Sequence, residues 1–183
     1  MRLGIDLDGV VANFNGGWIT FYNEEFGTHL TPDVVDSWDG IPAATHFSSM
    51  RQFWEWARYL NGASLFRHLD PYDGAVETLW DLAKDDHTIV ILTSKPYWAT
   101  HDTYAWIAEH RLPTREVHIL DDKWQVDCDV YLDDAPHNIY DIHHHRPDRA
   151  TVRYVRPWNH QVPGTFDISD WDEFRAFVDS HKP

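Results

Sequence analysis

With 183 residues, a net charge of −15 and 43% hydrophobic residues, the chain is predicted to form one globular domain with a modest insertion, and a disordered polypeptide is excluded. The acidic charge argues against a broad basic surface for duplex nucleic acid, and no apolar run approaches the roughly 20 residues of a membrane span. Cys128 is the single cysteine, which excludes an intrachain disulfide, and no signal-peptide pattern precedes the first predicted strand; both favour a cytoplasmic location.

Hydrophobic periodicity predicts strands and helices in alternation along the chain. The first strand covers residues 2–6, and a segment rich in aromatic residues follows, with helices predicted at 16–26 and 48–60. The later strands are predicted at residues 87–93, 116–120, 128–132 and 150–155. The later helices are predicted at residues 74–84 and 97–110, after Pro136, and after Ser169 as an N-cap.

The alternation from about residue 70 onward predicts an α/β fold, a Rossmann-like parallel sheet flanked by helices on both faces. Residues 14–70 lack convincing strands and leave the sheet directly after its first strand. Because ligands bind beyond the carboxyl ends of the strands in such sheets, this insertion is expected to cover the site as a small helical cap. The predicted division is therefore an α/β core of residues 1–13 and 71–183 and a cap of residues 14–70.

Two aspartates, Asp6 and Asp8, lie at the end of the first strand with one residue between them. In an extended strand, residues i and i+2 project to one side, so both carboxylates can face the same way. Two carboxylates this close repel each other unless a cation lies between them or one of them binds a proton. The pair therefore indicates a metal site or a proton-transfer site rather than a solvated turn.

Polar residues also lie at the ends of two later strands. Thr93 and Ser94 end the second predicted strand, Asp133 and Asp134 follow the strand at 128–132, and Lys123 precedes that strand. Because the carboxyl ends of parallel strands share one edge of the sheet, these residues are expected to converge with the first aspartate pair. Four converging carboxylates need cations, and Mg²⁺ with its preference for oxygen ligands, together with the fixed charge of Lys123, would supply them.

In their order along the chain, these motifs resemble the four motifs of the haloacid dehalogenase-like phosphohydrolases, over nearly the whole sequence. The opening Asp-Leu-Asp-Gly-Val-Val-Ala-Asn-Phe narrows the resemblance to the 5'(3')-deoxyribonucleotidases, as do Ile-Leu-Thr-Ser and the Ser-Asp-Trp-Asp-Glu-Phe segment near the C-terminus. Two positions depart from that family. Its lysine shortly after Thr-Ser is replaced by Tyr97, with Lys95 two residues earlier, and its arginine two residues before the motif-three lysine is replaced by Asp121.

The resemblance implies a mechanism for the acidic residues. Asp6 would attack phosphorus as the nucleophile and form an aspartyl-phosphate, which replaces one difficult hydrolysis with two easier steps. Asp8 would protonate the leaving oxygen and then deprotonate the attacking water. Lys123 would neutralise charge on the nucleophile and the phosphate. The Asp6 carboxylate, the Asp8 backbone carbonyl and Asp133 would hold Mg²⁺, with Asp134 helping directly or through water.

The resemblance also implies residues that contact the substrate. Thr93 would bind a phosphoryl oxygen through its hydroxyl group, and Ser94 through its backbone N–H. Phe14 corresponds to an aromatic residue that stacks on the base. Trp38 is expected as a further pocket aromatic. For Trp54 and Trp56, packing within the cap is the favoured interpretation, with base stacking by one of them as the alternative.

The implied reaction is Mg²⁺-dependent hydrolysis of a small phosphomonoester, a (deoxy)ribonucleoside monophosphate, and family resemblance makes a homodimer an expectation. The alternatives are the same chemistry on another small ester such as a sugar phosphate, a phosphatase for a polynucleotide end, and a non-catalytic nucleotide-binding relative. A broad site for duplex nucleic acid and a membrane span are not expected.

Two further polar stretches attract notice. The run His143-His144-His145 suggests a metal site at first sight, but adjacent helical residues point in different directions, so a solvated helix end is the favoured interpretation. The stretch Arg-Pro-Trp-Asn-His at residues 156–160 is interpreted as an edge strand and loop, with a loop beside the substrate as the alternative.

Overall fold

The computed structural model describes residues 1–181, and its centre is a parallel sheet of six strands. The strands are β1 (Arg2–Ile5), β2 (Thr88–Thr93), β3 (Thr114–Ile119), β4 (Val130–Asp133), β5 (Ala150–Tyr154) and β6 (Phe166–Ile168). The helices are α1 (Phe14–Phe26), α2 (Ile41–Ala44), α3 (Met50–Ala57), α4 (Ala75–Lys84), α5 (Thr100–Glu109), α6 (Pro136–His145) and α7 (Trp171–Ser180). The predicted α/β fold with a parallel sheet is confirmed.

The strand order explains where a ligand can bind. The strands lie in the order β3-β2-β1-β4-β5-β6, and every neighbouring pair is parallel. From β1 the chain first builds the sheet outward through β2 and β3, and it then returns to the other side of β1 to add β4. Reversal of the direction of winding opens a crevice at the carboxyl ends of β1 and β4, the usual ligand position in such sheets.

The sheet has an apolar layer on each face, as expected of a sheet between two layers of helices. Within β2, Ile89 and Ile91 belong to the larger buried cluster, whereas Val90 and Leu92 belong to a second cluster on the opposite face. The second cluster includes Ile142 of α6. Side chains of alternate strand residues point to opposite faces, so the continuous apolar run of β2 reflects burial on both sides.

Three local features differ from the sequence-based predictions. The strand β6 was not predicted, because three residues at the sheet edge carry too little periodicity to detect. A 3₁₀ turn at Tyr97–Ala99 precedes α5, so the predicted helix at 97–110 begins later. The prediction that Ser169 caps the last helix is wrong: Asp170 is the N-cap, because its carboxylate accepts the backbone N–H of Glu173 at 2.8 Å.

Residues 14–70 contain α1, α2 and α3 and contribute no strand to the sheet. The two ends of this segment meet beside β1. Backbone N–H groups of Asn13 and Tyr72 donate to the carbonyls of Asp70 and Val11, both at 2.8 Å. The division into a core and a cap stays a prediction. No helix among residues 1–181 is long and apolar enough to cross a membrane.

A bidentate ion pair connects the amino end of β1 with β3. The guanidinium of Arg2 donates to both carboxylate oxygens of Glu116 at 2.9 and 3.0 Å, and His118 lies 2.8 Å from the same carboxylate. The hydrogen bonds from Arg2 and then His118 lower the pKa of Glu116 from 4.5 to about 2. The pair therefore stabilises the fold above pH 4.5, and this contribution is lost as pH falls through the folded-state pKa.

We expect Glu116→Gln to lower the free energy of unfolding at neutral pH by about 0.5–1 kcal/mol, since the two side chains are partly exposed and water screens them. The difference from the wild type should shrink as the pH falls from 4.5 towards 2. Urea unfolding at several pH values measures this, with Glu24→Gln, at an exposed position of α1, as the control. A difference that is constant with pH would contradict the assignment of the shift to this pair.

Candidate active site

A tight turn directly after β1 sets the geometry of the first aspartate pair. The Leu7 carbonyl accepts the backbone N–H groups of Val10, Val11 and Ala12 at 3.2, 2.8 and 2.7 Å. Gly9 adopts φ +79°, and a Cβ at this position would lie 2.1 Å from the Asp134 carboxylate. Glycine is therefore required here both for the left-handed backbone and for the close approach of the turn to the end of β4.

Asp6 and Lys123 meet Asp133 at the carboxyl edge of the sheet, as the parallel topology predicts. The backbone N–H of Asp6 donates to the Leu132 carbonyl at 3.0 Å, which fixes Asp6 beside the end of β4. Nζ of Lys123 lies 2.8 Å from Asp6 Oδ1 and 2.6 Å from Asp133 Oδ2, and all three side chains are buried. A single ammonium group thus neutralises part of a buried acidic cluster.

Burial and neighbouring charge alter the acidity of these groups. Burial raises the pKa of Asp6 to about 7; Lys123 opposes this shift, whereas the nearby charges of Asp133 and Asp8 add to it. Burial alone would lower the pKa of Lys123, but Asp133 and Asp6 outweigh it and raise the pKa above its usual value. The lysine is therefore a fixed positive charge, and the acidic cluster has a deficit of positive charge that a cation can supply.

The adjacent aspartates Asp133 and Asp134 have different surroundings. Asp133 accepts from Lys123, from the Ala135 backbone N–H at 2.9 Å, and from the Asn138 amide at 3.2 Å. Asp134 Oδ1 is buried and has no hydrogen-bond partner among residues 1–181. Burial and the charges of Asp6 and Asp133 raise the pKa of Asp134. Such an oxygen, next to two further carboxylates, is a suitable cation ligand.

A cation could be held by three buried carboxylates. Asp6, Asp133 and Asp134 each offer one oxygen within 4.8 Å of the other two. Hard cations such as Mg²⁺ bind oxygen ligands of this type. The donor set and the unpartnered oxygen of Asp134 therefore fit a divalent cation.

Asp8 pairs with a lysine that the family pattern does not place there. Nζ of Lys95 forms an ion pair with Asp8 Oδ2, and it lies 4.2 Å from the centre of the Phe66 ring. Tyr97, the residue aligned with the lysine of the family, is 95% exposed. The buried Lys95 thus places a positive charge beside Asp8, a contact that the sequence resemblance did not reveal.

The end of β2 offers polar groups of two kinds. The Thr93 hydroxyl is buried and has no hydrogen-bond partner in the described part of the chain. The Ser94 hydroxyl donates to the Leu120 carbonyl at 2.9 Å, and the Leu120 N–H donates to the Thr93 carbonyl at 3.0 Å. These bonds fix the ends of β2 and β3 to each other, and they leave the side chain of Ser94 committed to structure.

A cavity of about 340 Å³ opens beside the acidic cluster, and its lining includes Asp6, Asp8 and Lys123. Aromatic residues from the 14–70 segment form much of the opposite wall: Phe14, Trp38, Trp54 and Phe66. A pocket with apolar walls and a few polar groups at one end is typical of small-molecule sites. The predicted substrate residues Phe14 and Trp38 lie in this lining.

The aromatic residues of the segment fall into two groups. Phe14 lies 5.8 Å from Trp54 and 6.1 Å from Phe66, measured between ring centroids, and these three rings face the cavity. Trp56 instead donates its indole N–H to Glu25 at 2.7 Å, and it packs within the segment. Of the two tryptophans considered from the sequence, Trp54 is the one in the cavity wall.

Residues 156–159 form a loop after β5, named the support loop here, that contacts the turn after β1 and Asp134 at the end of β4. Nε of Arg156 donates to the Gly9 carbonyl at 2.8 Å, and the indole N–H of Trp158 donates to Asp134 Oδ2 at 2.8 Å. The stretch is therefore a loop next to the acidic cluster, and its position beside the substrate stays a prediction. Its only signal in the sequence is a cluster of arginine, tryptophan and asparagine after the fifth strand.

The histidine run ends α6, in agreement with the favoured interpretation. His144 and His145 are exposed, and Nδ1 of His145 lies 2.8 Å from the Asp141 carbonyl within the same helix. The cluster of three carboxylates that could hold a metal ion lies elsewhere, at the ends of β1 and β4.

Comparison with known proteins identifies the family. The profile of the family described as "5' nucleotidase, deoxy (Pyrimidine), cytosolic type C protein" matches residues 1–182. The 5'(3')-deoxyribonucleotidase of Clostridium acetobutylicum is 26% identical over 98% of this chain and 96% of its own. The human mitochondrial 5'(3')-deoxyribonucleotidase is 23% identical over 100% of this chain and 84% of its own.

A solved structure shows the same fold at much lower sequence identity. The L-2-haloacid dehalogenase of Xanthobacter autotrophicus superposes with a TM-score of 0.68 over 99% of each chain, at 11% identity. The predicted resemblance is confirmed by these matches. The chain therefore belongs to the 5' nucleotidase, deoxy (pyrimidine), cytosolic type C protein family, a family of phosphoric monoester hydrolases on the haloacid dehalogenase-like fold.

Proposed function

We propose that the protein hydrolyses (deoxy)ribonucleoside monophosphates to a nucleoside and phosphate, with Mg²⁺ and through an aspartyl-phosphate on Asp6. The observation that carries the proposal is the position of Asp6. Its carboxylate is buried at the switch point of the sheet, is paired with Lys123, and lies in the wall of an aromatic cavity. A nucleophile in that position can reach a phosphate whose organic group occupies the cavity.

The proposed reaction divides the acid and base roles between two carboxylates. Asp6 attacks phosphorus, and the bond from phosphorus to the sugar oxygen breaks. Asp8 gives that oxygen a proton, and then takes a proton from the water that cleaves the aspartyl-phosphate. The ion pair with Lys95 and the tight turn at Gly9 hold Asp8 in place for both steps.

We further propose that Asp6, the Asp8 backbone carbonyl, Asp133 and Asp134 hold the Mg²⁺ ion. When bound, the ion supplies positive charge that stabilises the phosphoryl oxygens in the transition state. The unpartnered Oδ1 of Asp134 supports a direct bond from this residue. Asp133 already accepts from Lys123 and Asn138, so its second role is to orient the lysine.

In this proposal the phosphate is bound by donors at the strand ends. The free hydroxyl of Thr93 and the backbone N–H of Ser94 bind its oxygens, and Lys123 offsets its charge. The hydroxyl of Ser94 serves the link to Leu120 instead. Preorganised donors of this kind stabilise developing charge without reorganisation during the reaction.

A nucleoside is the substrate group that the cavity supports best. Phe14, Trp38 and Trp54 present aromatic surface that can stack on a flat base. The description of the family and the names of the related deoxyribonucleotidases support the same class of substrate. A sugar phosphate would undergo the same chemistry, but it would leave this aromatic surface without a flat partner.

Phosphate release from a panel of nucleoside monophosphates and sugar phosphates tests the proposal. With Mg²⁺ present, we expect kcat/KM for the best nucleotide to exceed that for every sugar phosphate by at least about tenfold, as stacking on the pocket aromatics contributes ~1–3 kcal/mol. Chelation of the metal by EDTA should abolish turnover, and added Mg²⁺ should restore it. Equal rates with both substrate classes would contradict the substrate assignment, and metal-independent turnover would contradict the mechanism.

Two further expectations belong to this proposal. The words "cytosolic type C" in the family description support a cytoplasmic location, although the human relative is named as mitochondrial. A homodimer stays a prediction from family resemblance, and sedimentation velocity of the purified protein measures it.

A further inference from the structure

The two carboxylate oxygens of Asp134 are not equivalent. The indole N–H of Trp158 donates to Oδ2 at 2.8 Å, whereas Oδ1 is buried without a partner among the described residues. The residue itself is 2% exposed. One oxygen is thus bound by the protein, and one is left for a cation.

The position of Trp158 is built into the fold by its neighbour. Asn159, which is 5% exposed, donates its side-chain amide to the Asp134 backbone carbonyl at 2.8 Å, and accepts from Arg153 at 3.0 Å. The support loop is therefore fixed to Asp134 at two points, one on the backbone and one on the side chain. These bonds place the indole of Trp158 at Oδ2.

Gly9 encloses the same oxygen from another direction. A Cβ at Gly9 would lie 2.1 Å from Oδ2, so the backbone of the turn packs directly against that atom. Arg156 of the support loop holds this turn through the hydrogen bond to the Gly9 carbonyl. Oδ2 of Asp134 thus lies between the turn after β1 and the indole of Trp158.

We propose that Trp158 is a positioning residue that restricts Asp134 to one-oxygen coordination and thereby selects Mg²⁺ over Ca²⁺. Mg²⁺ requires six ligands in a near-ideal octahedron, whereas Ca²⁺ takes six to eight and commonly binds both oxygens of one carboxylate. An indole N–H on Oδ2 withholds the second oxygen from the larger ion. The inference rests on the proposed metal site, and it concerns which cation that site prefers.

Direct titration of the protein with MgCl₂ and CaCl₂ by isothermal calorimetry tests the inference. In Trp158→Phe, which lacks the N–H, we expect the affinity for Ca²⁺ relative to Mg²⁺ to rise about tenfold, since partners of metal ligands typically alter affinity by 10–100-fold. The control is Trp80→Phe, which removes an indole hydrogen bond to the Arg111 carbonyl of 3.0 Å outside the site. This control should keep the wild-type ratio. An unchanged ratio in Trp158→Phe would overturn the inference.

The second measurement is the infrared spectrum of the carboxylates, which a packing defect alone would not change in the expected way. In infrared spectra of the Ca²⁺-loaded proteins, the antisymmetric and symmetric carboxylate stretches should move closer together in Trp158→Phe, as Asp134 becomes bidentate, and not in the control. Should the phenylalanine variant fail to fold, Trp158→Met removes the same donor with a flexible side chain. Ca²⁺-loaded spectra that are the same in the wild type and in the indole variant would overturn the inference.

The failure of the inference and the failure of the proposed function look different. If Asp134→Asn loses cation binding while Trp158→Phe keeps the wild-type selectivity, the metal site stands and only the role of the indole is overturned. A wild-type protein that binds neither cation would overturn the proposed metal site, and the inference with it.

Discussion

Asp6→Asn is expected to fold and to lose essentially all phosphatase activity, by at least about 10⁴-fold in kcat, because an amide cannot form the aspartyl-phosphate. Folding should survive because Lys123 keeps its 2.6 Å contact with Asp133. The substitution also removes a buried carboxyl group, and burial raises the pKa of that group to about 7. Thermal unfolding without metal should therefore occur within a few degrees of the wild type.

Phosphate release and circular dichroism measure the two halves of this expectation on the same sample. Asp73→Asn, at an exposed position before α4, is the matched control and should keep normal turnover. Near-normal turnover in Asp6→Asn would exclude Asp6 as the nucleophile. Loss of activity together with loss of the folded state would instead show that Asp6 is needed for structure.

Lys123→Met should be the most destabilising single change at the site. It removes the ammonium group that contacts both Asp6 and Asp133, and it leaves their buried carboxylates without that partner. Removing one member of a buried ion pair typically costs about 3–5 kcal/mol, and we expect a loss of that size in the free energy of unfolding without metal. Urea unfolding at neutral pH measures it.

Two additional measurements identify the cause of that loss. Lys123→Met combined with Asp133→Asn should be more stable than Lys123→Met alone, because the second change removes one of the uncompensated charges. The loss should also shrink at lower pH. A buried carboxylate whose folded-state pKa lies above its unfolded value binds protons preferentially in the folded state, so acid favours folding. A loss that is independent of pH and of Asp133 would indicate that only packing had been disturbed.

The convergence of the site could be predicted from the sequence because it depends on topology. Asp6, Thr93 and Asp133 each lie at the end of an apolar run, and parallel strands bring such ends to one edge. The left-handed turn at Gly9 is also local, since it follows from one residue type. To predict features of this kind, only the hydrophobic periodicity, the strand direction and the position of residues along the chain are needed.

The contacts of the support loop could not be predicted in the same way. Trp158 and Asn159 reach Asp134 from a loop 24 and 25 residues later in the chain, and no period in the sequence encodes that contact. The ion pair of Lys95 with Asp8 depends on how one long side chain crosses the site over Phe66. Such contacts follow from three-dimensional packing, where several side chains compete for one position.

The paired ends of the 14–70 segment have a consequence for how new substrate ranges can arise. Because Asn13 bonds to Asp70 and Tyr72 to Val11, the chain leaves the sheet and returns to it at nearly the same point. The entropic cost of closing a loop grows only slowly with its length, so the length of the segment between those ends has little effect on the free energy of folding. One continuous exchange of this segment, by recombination or by protein engineering, could replace the aromatic wall of the cavity while the polar groups at the strand ends stay in register.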